Sequence, residues 1–282
     1  MQKTIIKTGL LGQPLSKSLS PEIFRIFAAL TGTGILYEPR ECGGAELASV
    51  IHSLKSEGWA GFNVTIPHKQ AVFNLLGLAD PAARAIKAVN AVRFGRNGLE
   101  GFNSDAAAVR SALEEHAVDV RGKNAVVFGS GGAAGAAGWA LGRSGAAKVA
   151  FRARNGAAAA ALADTLGLVF DGTVFTSAGF EAPEEPAAVI VNATPLGMYA
   201  PGRPPCAPRP GTACLDLAYA AGGTEFIAAA RAAGATVIDG LEVLVRQASL
   251  SLKYWSGLPA GDIVKFNAEA LKLLREKLAR GN

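Results

Sequence analysis

Ala125-Val126-Val127-Phe128-Gly129-Ser130-Gly131-Gly132-Ala133-Ala134 is the stretch on which the fold turns. An apolar, strand-like run meets a glycine-rich turn that opens a helix. Gly129, Gly131 and Ala134 fit the G-x-G-x-x-G/A spacing, and each small residue has a task. The first permits the tight turn, the second lets backbone N–H groups approach a pyrophosphate, and the third allows close helix–strand packing. The positive end of the following helix then favours phosphate. About 20 residues onward, where a carboxylate would read the ribose of NAD, the sequence has Phe151-Arg152-Ala153-Arg154-Asn155, with no acid before Asp164. Arg152 and Arg154 point to the 2′-phosphate of NADP through charge-assisted hydrogen bonds, with NAD left open.

Outward from this turn, strand-like and helix-like segments alternate, the pattern of α/β architecture. Downstream, helices are expected at Ala134–Ser144 and Ala157–Leu166, with strands at Lys148–Phe151, Val169–Phe170, Ala188–Asn192, Ala213–Leu217 and Thr236–Asp239. Upstream, strands are expected at Thr4–Leu11, Ile35–Glu38 and Gly61–Ile66. Ser20 as N-cap and Pro21 at N1 open a helix, and Ala45–Glu57, Lys69–Leu76 and Ala107–His116 are further helices. Val89–Phe94 and Leu99–Phe102 read as a hairpin about Arg96-Asn97-Gly98. Leu241 to Arg280 is mostly helical, with Ile263, Phe266, Ala270, Leu274 and Leu278 at helical spacing and Gly281 as its terminating glycine. The reading is two α/β domains with a cleft between them. Residues 1–105 and 241–282 form a discontinuous domain closed by C-terminal helices, and residues 106–240 a Rossmann-type dinucleotide-binding domain.

Composition excludes several function classes. The 282 residues are 50% hydrophobic, ample for two cores. The net charge of +5 is spread without a basic block, so no nucleic-acid arm is indicated. The three cysteines, Cys42, Cys206 and Cys214, lie far from any zinc spacing; they suit a reducing cytoplasm as small buried hydrophobes, with no metal. No signal peptide is read at the N-terminus, and the glycines within Ala125–Leu141 argue against a membrane span. Glycine numbers 34 without a repeat, which implies many close backbone approaches.

Polar clusters stand at the ends of the upstream strands, where open α/β sheets bind ligands. Asn63-Val64-Thr65-Ile66-Pro67-His68-Lys69, Val89-Asn90-Ala91 and Gly101-Phe102-Asn103-Ser104-Asp105 are the three. A lysine suits reversible carbonyl reduction, since its ammonium can donate a proton to oxygen as hydride arrives and its amine can take it back. A carboxylate such as Asp105 would orient it.

In this order the motifs resemble the shikimate dehydrogenase family along nearly the whole chain. G-x-P-x-x-x-S-x-S-P stands at Gly12 to Pro21, NVT-x-P-x-K at Asn63 to Lys69, AVN at Ala88 to Asn90 and G-x-N-x-D at Gly101 to Asp105. The glycine turn, Asn192-Ala193-Thr194-Pro195-Leu196-Gly197-Met198, D-x-x-Y at Asp216 to Tyr219, Asp239-Gly240-Leu241 and Gln247-Ala248 follow. The resemblance implies a two-domain NADP enzyme interconverting 3-dehydroshikimate and shikimate, a chorismate-pathway step. By motif, Ser18 and Ser20 would hold the substrate carboxylate with Tyr219 nearby, and Thr65, Asn90, Asp105 and Gln247 the ring hydroxyls. Lys69 would be the acid/base, paired with Asp105. Gly129, Ser130, Gly131, Gly132 and Ala133 would cradle the pyrophosphate. Arg154, with Arg152 and Asn155, would meet the 2′-phosphate side, and Asn192, Thr194, Leu217 and Gly240 would line the nicotinamide side.

The chain departs from the family pattern at Lys17 (usually His), Ala153 (usually Asn), Ser104 (usually Thr), Ala106-Ala107 (usually with Gly) and Val243 (often Met). A paralogue acting on quinate or an aminoshikimate-type acid, or a non-catalytic ligand sensor, are the alternative readings. The implied partner is a small cyclic hydroxy acid, with no nucleic acid or membrane, for a cytoplasmic monomer or homodimer.

Overall fold

A computed structural model describes residues 5–183, 185–257 and 263–281. The chain forms two compact units, Met1–Ser104 with Val245–Asn282, and Asp105–Leu244. In the first, β1 (Ile5–Gly12), α1 (Ser20–Thr31), β2 (Gly34–Glu41), a 3₁₀ turn at Gly44–Glu46, α2 (Leu47–Ser56) and β3 (Gly61–Val64) lead to α3 (Lys69–Phe73). Strand β4 (Leu78–Ala79), α4 (Pro81–Ile86) and the hairpin of β5 (Ala91–Gly95) and β6 (Gly98–Phe102) complete its N-terminal part. The sheet order is β2-β1-β3-β5-β6-β4, parallel on the β2-β1-β3 side and antiparallel through β3-β5-β6. Its core gathers Leu11, Leu54, Trp59, Phe62, Val64, Val72, Val89 and Val92.

The second unit follows the strand–turn–helix rhythm of its sequence. After α5 (Ser104–Glu115) come β7 (Asn124–Phe128), α6 (Gly132–Arg143), β8 (Lys148–Ala153), α7 (Gly156–Gly167), β9 (Val174–Gly179), β10 (Val189–Asn192), β11 (Ala213–Asp216), α8 (Glu225–Ala232) and β12 (Thr236–Ile238). All strands are parallel, in the order β12-β11-β10-β7-β8-β9. That is the arrangement of a doubly wound dinucleotide-binding sheet, with its strand order reversing beside β7. Strands β10 and β11 are buried at every residue, which is why they read as continuous apolar runs rather than alternating ones. Helix α9 (Gly240–Ser256), whose residues from Val245 belong to the first unit, and α10 (Asn267–Ala279) end the chain.

Several elements differ from the sequence reading for physical reasons. No strand forms at Val169–Phe170: these residues close α7, and the Phe170 ring sits edge-on to Trp139 at 6.1 Å, while β9 begins at Val174. Ser20 is the first residue of α1 and makes no side-chain cap; Leu19 precedes it in helical geometry. Strand β3 stops at Val64 because Thr65 and Ile66 turn toward Pro67, and α5 starts at Ser104, earlier than its apolar pattern. The β5–β6 turn has Arg96 and Asn97 between the paired Gly95 and Gly98. The short β4, α4 and α8 are additions to the sequence reading. Thr4 and the part of the C-terminal helical stretch at 258–262 lie outside the described residues.

Small residues let α6 lie close on β8. A Cβ at Gly138 would come within 2.4 Å of the Phe151 ring, so Gly138→Ala should cost about 1–3 kcal/mol by overpacking despite its better helix propensity. Gly156, with nothing within 4 Å, should gain ~0.4–1 kcal/mol on substitution by Ala. Chemical denaturation of the two variants, read against the parent, checks the opposite signs.

Candidate active site

In the first unit, backbone hydrogen bonds lace together the chain leaving the parallel strands. Thr65 N donates to Leu11 O at 2.8 Å, Gln13 N to Ile66 O at 2.9 Å, Val64 N to Asn90 O at 2.9 Å and Val89 N to Lys69 O at 3.1 Å. The segments carrying Ser18, Thr65, Lys69 and Asn90 are therefore one stitched edge. Ser20 N donates to Ser18 Oγ at 3.3 Å, which keeps the two serines together. Lys69 is the first residue of α3. Just before it, the buried His68 places Nε2 2.8 Å from Cys42 O, the separation of a ring N–H donating to that carbonyl. This pins the start of α3 to the end of β2 and so limits how Lys69 can move.

Asn90 and Gln247 are brought together inside a buried polar network. Asn90 Nδ2 donates to Ser104 Oγ at 2.8 Å and faces Gln247 Oε1 at 3.5 Å, and Asn90 Oδ1 accepts from Ser104 N at 2.7 Å. Ser104 Oγ lies 3.1 Å from Ser251 Oγ, and Asn63 Nδ2 donates to both Ser251 Oγ and Asn90 O. Tyr37 O–H closes the chain on Asn63 Oδ1 at 2.9 Å. Such groups are costly when half-satisfied and rigid when complete. Gln247, Ser251 and Trp255 recur every fourth residue of α9, and Trp255 Nε1 donates to Val92 O at 2.9 Å. That polar i, i+4, i+8 row is the sequence signal by which Ser251 could have been found.

In the second unit, Gly129 has φ +125°, and a Cβ there would fall 2.7 Å from Ala193 O. Gly131 precedes the 12-residue α6 in extended geometry with open space over its Cα. Bare backbone at Gly129 to Ala133 and a helix N-terminus together fit a pyrophosphate. Arg154 is exposed just past β8, and Asn155 caps α7 by accepting from Ala158 N at 3.0 Å. Arg152 is a correction. Only 2% exposed, it commits its guanidinium to loop carbonyls, donating from Nη1 to Ala182 O at 2.7 Å and from Nη2 to Pro183 O. Those bonds hold its side chain in the interior beside the 182–183 loop.

Asn192, expected to line the nicotinamide side, is fully buried and holds the turn that follows β10. Its Oδ1 accepts from Thr194 N at 3.1 Å and Thr194 Oγ1 at 2.6 Å. Its Nδ2 donates to Asp216 Oδ1 at 2.8 Å. Leu217 N donates to Asn192 O at 2.8 Å, and a Cβ on Gly240 would strike Ala218 O and crowd Tyr219. Thr224 and Ser251 are members of these networks that sequence reasoning missed, while Asp216 and Ser104 stand in its motifs without an assigned role. Lys69 belongs to the first unit; Asp105, in the first turn of α5, belongs to the second. Burial pushes the Cys214 thiol up to about 12 and raises Cys42, which disfavours the reactive thiolate. No grouping of metal-ligating side chains exists among the described residues, nor is any helix among them long and apolar enough to cross a membrane.

The shikimate dehydrogenase substrate binding domain model matches residues 10–92. The NADP(+)-dependent shikimate dehydrogenase of Anaeromyxobacter dehalogenans is 39% identical over 259 residues, 89% of this chain and 91% of that protein. The chain belongs to the shikimate dehydrogenase family. The crystal structure of the Thermus thermophilus shikimate 5-dehydrogenase, in complex with NADP(H) and shikimate, superposes with TM-score 0.78 at 29% identity, covering 94% of this chain and 99% of that one. A ligand-free 5-ketofructose reductase of Gluconobacter sp. strain CHM43 gives TM-score 0.83 at 26% identity, covering 96% and 99%.

Asp216 is fully buried and accepts from Asn192 Nδ2, Ala218 N and Thr224 Oγ1. Burial outweighs these three donors and pushes its carboxyl from 3.8 up to about 7, with Asp239 adding to the rise. The folded chain thus holds this proton more tightly than the unfolded chain. Its contribution to stability is greatest below pH 3.8, falls as pH rises to about 7 and is level above. Urea midpoints of the parent should carry this downward component between pH 5 and 7, and Asp216→Asn should remove it.

Proposed function

We propose that this chain is an NADP-dependent shikimate dehydrogenase, interconverting 3-dehydroshikimate and shikimate. The observation that supports it most is the stitched edge that binds Thr65, Lys69 and Asn90 into one frame, with Gln247 held against Asn90. Carboxamides, hydroxyls and a lysine in one place suit a polyhydroxy ring bearing a ketone. In this reading residues 1–105 with 241–282 bind substrate and residues 106–240 bind NADP. The protein works in the cytoplasm as a monomer or homodimer.

Ser18 and Ser20 hold the substrate carboxylate with Tyr219, and Thr65, Asn90, Asp105 and Gln247 hold the ring hydroxyls. NADPH, when bound, supplies hydride to the carbonyl carbon. Lys69 then donates a proton from its ammonium to the carbonyl oxygen, and in the reverse direction its amine takes the proton from the alcohol. Asp105 orients the lysine and accepts from a hydroxyl. The backbone of Gly129 to Ala133 receives the pyrophosphate. Arg154 meets the 2′-phosphate, with no acid at the end of β8 to repel it. NAD as cofactor is a separate arm of the test.

A second reading, a relative specialised for another ketone, is favoured by the likeness to a 5-ketofructose reductase. Quinate and amino analogues of shikimate are further substrates of that reading. Initial rates with shikimate, quinate and an aminoshikimate, each with NADP and NAD, and with a fructose-derived ketone, with NADPH and NADH, decide between them. Shikimate with NADP should give the highest kcat/KM, and no turnover of shikimate with either cofactor would overturn the first reading. Lys69→Ala should lower kcat by ~10²–10⁴ while shikimate affinity, by calorimetry, changes no more than a few-fold.

A further inference from the structure

Three loops meet around one buried carboxylate at the carboxyl edge of the second unit's sheet. Asp216 ends β11 and accepts from Ala218 N in the loop that follows, from Thr224 Oγ1 at the start of α8, and from Asn192 Nδ2 at the end of β10. The packing there is tight enough that Cβ atoms at Gly197 and Gly240 would collide with Thr224 and with Ala218 O.

A buried carboxylate ringed by donors imposes a direction on its neighbours. Ionised, Asp216 can only accept, so Asn192 faces it with its N–H₂ end and its oxygen is turned to Thr194. There Oδ1 takes both the Thr194 N–H and the Thr194 hydroxyl proton, at 3.1 and 2.6 Å. Thr194 Oγ1, its proton committed, accepts from Leu196 N at 3.2 Å, and Asn192 Nδ2 gives its second proton to Leu196 O at 3.2 Å. The side-chain bonds of Asn192 and Thr194 in the 192–196 turn thus follow from the acceptor at 216. Within the same turn, Ala193 N donates to Phe128 O at 2.8 Å, and Ala193 O closes over Gly129. The turn that shapes the nicotinamide side therefore also leans on the first residue of the glycine-rich turn.

We propose that Asp216 is a positioning residue for the nicotinamide half of the cofactor: it fixes the direction of the Asn192 carboxamide and, through it, the shape of the 192–196 turn. This rests on the assignment of that turn to the nicotinamide side under the proposed function. Asp216 touches no cofactor atom itself, since it is fully buried. In Asp216→Asn, the new amide brings two protons to a place where three donors converge. Asn192 then loses its reason to face one way, and its flip would set an N–H₂ group against the Thr194 donors.

The test compares whole and half cofactor by calorimetry. In Asp216→Asn the Kd for NADP should rise ~10-fold, while that for adenosine 2′,5′-bisphosphate, which lacks the nicotinamide half, stays within twofold of the parent. Equal weakening of both, or of neither, would overturn the proposal, since a general loss of structure affects both halves. Should Asp216→Asn not fold, Thr194→Val removes the hydroxyl at the far end of the relay from a half-buried position. It should show the same selectivity at ~3-fold, and its absence would equally overturn the idea. A parent that bound NAD in place of NADP would refute the cofactor reading alone; NAD against ADP-ribose then measures the same selectivity.

Discussion

A 2.8 Å hydrogen bond joins Asn192 to Asp216, both wholly shut off from solvent, and the second unit's site is arranged around it. A sheet of parallel strands delivers backbone and side chains to one edge but gives no direction to the polar groups that arrive there. A buried carboxylate, which when ionised can only accept, supplies that direction. From it follow the Asn192 amide, the Thr194 hydroxyl, the cap of α8 through Thr224 and the contact of Ala193 with Gly129. Removing water from such a group costs stability, and what offsets that cost is a single arrangement of three loops.

The first unit solves the same difficulty without a charge. Its carboxamides and hydroxyls, Asn63, Asn90, Ser104, Gln247 and Ser251, satisfy one another, with Tyr37 at one end. Neutral groups can each turn over, so direction has to come from number: each amide is held by at least two partners. Ser104 is the hub. The shorter side chain found there, in place of the family's usual threonine, still reaches Asn90, Gln247 and Ser251.

Much of the fold was legible because local chemistry and architecture agree. Gly129, Gly131 and Ala134 have no other simple use together between an apolar strand and a helix, and the alternation around them dictates a parallel sheet. The hairpin forms where Asn97-Gly98 marks it, with Arg96 and Asn97 in the turn and Gly98, at φ +118°, closing it. What escaped were elements whose signal is tertiary. Phe170 looks like a strand residue but is apolar because it meets Trp139 and Phe175. The three small elements β4, α4 and α8 are too short for periodicity. In the site, motif residues are legible by type, but not by which face of a strand or helix they occupy. That is why Arg152 reads as a phosphate ligand in the sequence, and why Asp216, legible as part of a D-x-x-Y motif, shows nothing there of its buried contacts. The glycine excess gains a partial account: several glycines stand where a Cβ would strike a carbonyl or a ring, at Gly61, Gly138 and Gly240 among others.

The inward turn of Arg152 also bears on how this protein's cofactor choice can drift. With one guanidinium permanently engaged on the carbonyls of residues 182 and 183, it works as a brace for the sheet margin and is removed from the chemistry of the ribose. Under the proposed function, discrimination at the adenosine end falls to the exposed Arg154, on the short connection into α7, outside the packed strand. In that reading, support of the sheet and choice of cofactor belong to separate residues two positions apart, one buried and one exposed.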